Sequence, residues 1–152
     1  MPLSLNSVQS KIAAVCMNHK MVNSFFYGLK TDLLTAKTTK YPAAFLDDNG
    51  FTISPSGHAI TLIWRLWFLD LVNVANYSNQ NDVDVISDML GIATDIVTEL
   101  NRDSNGWILA GGAGQQVAEQ DNDMPWGVYV DFTLRFPYAQ NNCEVPTTSP
   151  VL

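Results

Sequence analysis

The sequence predicts an α+β fold, a mostly antiparallel sheet with two main helices packed on one face. Three observations carry that reading. Two stretches, one from Asn6 and one from Asn81, repeat their apolar residues at helical spacing. The run ITLIWRLWFLDLV, Ile60 to Val72, is rich in branched and aromatic residues and bounded by breakers. The stretch WGVYVDFTLRFPY near the end alternates apolar and polar positions. At 152 residues and 47% hydrophobic, the chain can bury one good core. A single domain over 1–138 is therefore expected, followed by an irregular tail over 139–152 that contains Pro146 and Pro150.

The first helix is marked by Val8, Ile12, Val15, His19, Val22 and Phe26, which alternate steps of four and three along one face. Asn6 is its expected cap and Gly28 its expected end. Leu29 to Lys40 follow as a connection rich in Thr and Lys, long enough to be a candidate functional loop. YPAAFLDD reads as a short strand with Pro42 at its start, and Asp48-Asn49-Gly50 as a tight hairpin turn.

The apolar run comes next. A membrane-spanning helix needs about 20 apolar residues; this run is shorter and carries Arg65 and Asp70. With SPSG before it and NVANYSNQN after it, a long central strand is the better reading.

The second helix has Asn81 or Asp82 as its cap, with Asp82, Asp84 and Asp88 at its positive end and a stripe of Ile86, Leu90, Ala93, Val97 and Leu100. It stops at NRDSNG. WILAGGAGQQVAEQ is expected to form two short strands around a glycine turn. In the last strand Trp126, Val128, Val130, Phe132, Leu134 and Phe136 share one face, opposite Gly127, Tyr129, Asp131, Thr133 and Arg135.

The central strand is apolar on both sides. Ile60, Leu62, Trp64, Leu66 and Phe68 line one face; Ile63, Trp67, Leu69 and Leu71 line the other, beside Arg65. Two helices cover one face only. The other is either a contact surface for another protein or the inside of a sheet that curls on itself.

Charge and motif content narrow the function. Fifteen acidic residues against eight Lys and Arg give a formal charge of −7, which argues against a basic phosphate-gripping surface. Cys16 and Cys143 lack metal-type spacing and point to a reduced, intracellular setting, and MPLSLNSVQSKIAAVCMNHK lacks the pattern of an export signal. His19 and His58 are too few for a His-based metal cluster or a conventional triad and read as structural. AGGAGQQ lacks the Gly-Lys-Ser/Thr ending of a phosphate loop. NRDSNG matches the first positions of a calcium loop, yet Gly112 stands where the bidentate glutamate belongs, so a helix cap and turn is preferred. In EQDNDMP, Pro125 takes the place of a third ligand, leaving an acidic solvated loop of Glu119, Asp121 and Asp123. Asp47 with Asp48, and Asp84 with Asp88, are explained by turn and helix-start positions. No catalytic, cofactor or metal site is expected, and the chain does not read as an enzyme.

The element order adds a further expectation. A long N-terminal helix, a strand opening with YP, a long strand closing on LDLV, the helix DVDVISDMLGIATDIV, a hairpin, the strand GVYVDFTLRFPY and a short C-V-P tail follow one another. With LDLVN before the helix and NNCEVP after the last strand, this succession resembles the small tail-terminator and head-tail joining proteins of tailed bacteriophages over nearly the whole chain. The resemblance implies a virion protein that forms a homo-oligomeric ring, expected to be a hexamer, which caps the tail tube, meets neck or portal proteins and lets DNA pass through its lumen. No membrane partner is implied. On that reading Glu119, Asp121 and Asp123 are candidates for the lumen, and Trp64, Arg65, Trp67, Trp107 and Tyr129 for subunit contacts. A neck or portal-adjacent adaptor in twelve copies is the alternative, and a small-ligand-binding α+β domain a lesser one.

Overall fold

Residues 3–28, 39–71, 79–102, 105–118 and 125–137 are described by a computed structural model. Helices α1 (Leu5–Asn18) and α2 (Asn79–Leu100) pack on one face of a five-stranded sheet. Its strands are β1 (Ser24–Tyr27), β2 (Ala43–Ser54), β3 (Ala59–Leu71), β4 (Ile108–Ala118) and β5 (Pro125–Pro137), in the order β1-β2-β3-β5-β4. Only β1 and β2 run parallel; every other pair is antiparallel. The α+β fold is the one that the sequence predicts.

The first helix is capped by Ser4 rather than Asn6. Ser4 and Ser7 form a capping box, each hydroxyl accepting from the other's backbone N–H at 3.2 and 2.9 Å. Val8, Ile12 and Cys16 bury its inner face, and burial pushes the Cys16 thiol up to about 12. The helix ends at Asn18, well short of Gly28, where His19 turns to extended backbone. The expected stripe ran on because Val22 and Phe26 continue a spacing of three and four. Phe26 instead belongs to β1, in which Phe25 packs on the helix-side core and Phe26 on the opposite face. Strand alternation and helical spacing coincide over so short a stretch.

Asp48-Asn49-Gly50 is likewise a bulge and not a hairpin turn. Asp48 accepts from the Gly50 N–H at 2.9 Å, Gly50 takes a φ of 113°, and the pairing with β3 resumes at Phe51. The chain reverses only at 55–58, just beyond the β-forming residues Phe51, Thr52 and Ile53. β4 is also one strand and not two. Gly111 and Gly112, at φ 99° and 143°, absorb a bulge within it.

The central strand is β3, paired along its length with β2 and β5. Its Leu62, Trp64, Leu66 and Phe68 meet Ile12, Met89, Ile92 and Ile96 of the helices in the main core. The buried stripe of α2 is thus Met89, Ile92, Ala93, Ile96 and Leu100, rotated from the expected one, and Leu90 is 55% exposed. The apolar arc of this helix is wider than the face it packs, so part of it is left over. At the end of α2, Asn105 donates to the carbonyls of Glu99 and Leu100, and the Trp107 indole donates to that of Leu100 at 2.9 Å. The expected cap at NRDSNG is therefore supplied by Asn105. No helix among the described residues is long and apolar enough to cross a membrane.

Candidate functional site: the outer face of the sheet

The face away from the helices is organised in rows by strand register. One row runs Phe26, Phe45, Trp67, Tyr129 and Gln115 across all five strands. Phe45, Trp67 and Leu69 are buried, with Phe26, Tyr41, Val117 and Tyr129 packed around them as a second, smaller cluster. The Trp67 and Tyr129 rings lie 4.8 Å apart, and the Tyr129 hydroxyl donates to Gln115 at 2.7 Å.

The next row runs Asp47, Arg65, Asp131 and Ala113. Arg65 makes a two-pronged pair with Asp131, Nε donating at 2.6 Å and Nη2 at 2.8 Å. Its guanidinium lies 4.0 Å from the centre of the Tyr129 ring and 5.7 Å from that of Trp67. The hydrogen bond to Asp131 raises the Arg65 pKa above its ordinary value against a smaller lowering by burial. Arg65 thus finds within its own chain the carboxylate that a charged residue on an apolar strand requires. Beyond this row the face opens, with Ile63 at 39% and Ile108 at 66% exposure.

The other candidates divide. Trp64 is fully buried on the helix side, edge-on to Phe132, and has no surface to offer a neighbour. Trp107 is 7% exposed, held by its bond to Leu100 and by Lys11, whose ammonium sits 5.3 Å from the ring centre. Both were expected at a subunit contact; an apolar indole in a strand or beside a helix end is consumed first by the protomer's own core. Arg65, Trp67 and Tyr129 do come together. Glu119, Asp121 and Asp123 lie outside the described residues, as do most of the Leu29 to Lys40 connection and the tail. His19 holds Asp95 of α2 at 3.2 Å, a link from the end of α1 to the side of α2.

A groove of ≈ 430 Å³ lies between α2 and the sheet, where a small-ligand-binding α+β domain would have its pocket. Ile86, Leu90 and Val97 of α2 form one wall, Gly112 and Gly114 of β4 its floor, and Val128 and Val130 of β5 its back. The sequence signals were the leftover apolar arc of α2 and AGGAG itself, since glycines leave the space that side chains would fill. Among the described residues no three His, Cys, Asp or Glu side chains are grouped to hold a metal ion. The sequence matches no family model and no curated protein.

Proposed function

We propose that this chain is a structural subunit of a tailed bacteriophage particle, forming a ring that terminates the tail tube and joins it to the neck. The observation that carries the reading is apolar surface left over on several sides of one small domain: Ile63 and Ile108 on the outer face, Phe51 and Ile53 on the β2–β3 hairpin, and Leu90 on α2. A ring subunit needs apolar surface of this kind for its neighbours to cover. The element order supports the same reading through its resemblance to tail-terminator proteins. Arg65 and Tyr129, half-buried above the buried Trp67, have the composition favoured at contact centres. A net charge of −7 suits a lumen that must not hold DNA, and Glu119, Asp121 and Asp123 are its candidate lining.

Native mass spectrometry and electron microscopy of the purified chain test the proposal. A hexameric ring is the expected result, and twelve copies would turn the assignment to a neck adaptor. A strict monomer at high concentration, with the tube protein present, would overturn it. The groove beside α2 favours a second reading, a domain that binds a small apolar ligand. Thermal stabilisation of a monomer by such a ligand would support that reading.

A further inference from the structure

Both edges of the sheet are open among the described residues. β4 is an edge strand of 11 residues without a charged side chain or proline, the usual protections against strand pairing. At the other edge β1 covers only Ala43 to Leu46 of β2. From Asp47 to Ser54, β2 has no described strand on its outer side, and there Phe51 and Ile53 are 64% and 55% exposed.

The two edges are complementary. From β2 through β3 and β5 to β4 the strands alternate in direction, so β4 of one copy and β2 of the next would run antiparallel in a continued sheet, with helices on the same side. Phe51 and Ile53 are in register with Leu62 and Ile60, which belong to the helix side of β3. The groove between α2 and β4 opens on that same side. A stagger of a few residues between the two paired strands would bring both side chains to it. The residues lining the groove are uncharged, and so are Phe51 to Ser54. In a chain of net charge −7, these are surfaces on which a second copy meets no local like charge.

We infer that copies of this chain join head to tail by pairing the outer edge of β2 with β4 of the neighbour, inserting Phe51 and Ile53 into the groove beside α2. This contact is heterologous, so it propagates and closes into a ring when the rotation per subunit allows. It rests on the reading of the chain as a ring subunit, and it gives that ring a specific seam.

The test uses the full chain. Phe51→Asp and Leu90→Asp change exposed residues, so circular dichroism should be unaltered while association weakens roughly tenfold or more, read by analytical ultracentrifugation. Independently, Ile53→Cys combined with Gln116→Cys, in a Cys143→Ser background, should give a ladder of disulfide-linked oligomers. β2 and β4 are three strand spacings apart within one chain, about 14 Å, too far for an internal bond. Wild-type rings that persist in both Asp variants, without a ladder from the cysteine pair, would overturn the seam and leave the ring standing. A wild-type monomer would overturn both. If an Asp variant fails to fold, the cysteine pair alone decides.

Discussion

Arg65 and Asp70 lie on one strand, yet their environments differ in a way that single substitutions can read. Arg65 is paired, stacked and partly solvated, with side-chain exposures of 31% for Arg65 and 40% for Asp131, so solvent screening limits the value of the pair to about 1 kcal/mol or less. Arg65→Leu should therefore leave the protomer folded, with urea midpoints close to wild type, while impairing assembly if this face meets a neighbour. Normal rings from that variant would remove the outer face from the contact. For Asp70, burial raises the carboxyl pKa, opposed by a hydrogen bond from the Leu71 N–H and reinforced by Asp88. A carboxyl whose folded pKa is raised binds its proton more tightly in the folded state, so its charged form costs stability at neutral pH. Asp70→Asn keeps an acceptor for Leu71, and should be more stable than wild type at neutral pH. The gap should close as pH falls through the carboxylate range. Equal midpoints across that range would show that the burial has no energetic consequence. The sequence presents Arg65 as a charge that needs an external partner. That its partner is Asp131 could not be read without the register between β3 and β5, which is a property of the folded sheet.

At the scale of elements, glycine does opposite things in α2 and β5. Gly91 has open space where a Cβ would stand, so Gly91→Ala should stabilise by up to about 1 kcal/mol through helix propensity alone. A Cβ on Gly127 would run into the backbone carbonyl of Phe68 on β3. Gly127→Ala must therefore part the two strands, with an expected loss of about 3 kcal/mol or more. Chemical denaturation of the two variants checks both signs, and a neutral Gly127→Ala would mean that β5 is not packed as closely as described. Elements with long, regular patterns were legible: α2, β3 and the strictly alternating β5 lie close to where their spacing puts them. The failures share a cause. The end of α1, the supposed turn at Asp48-Asn49-Gly50 and the supposed turn in AGGAG each depend on what the neighbouring strand does. Asn-Gly and Gly-Gly allow positive φ, but a bulge uses that freedom as readily as a turn, and only β3 and β5 decide between them.

For the whole molecule, the balance between charge and apolar contact makes assembly sensitive to salt in a diagnostic direction. Each copy carries −7, so bringing copies into a ring gathers like charge, a cost that salt screens over about 10 Å at 0.1 M. If the contacts are the uncharged edge of β4, the groove beside α2, and Phe51 with Ile53, nothing in the seam itself is weakened by ions. Association should then tighten as salt rises from low to moderate concentration, as measured by sedimentation. Contacts built on ion pairs between copies would loosen over the same range. The two trends are opposite in sign, so the salt dependence of the oligomer separates an apolar seam from an electrostatic one without any substitution. Loosening with salt would shift the search for the contact to charged surfaces, where Asp84, Asp88 and Asp95 of α2 could meet the few Lys and Arg of a neighbour.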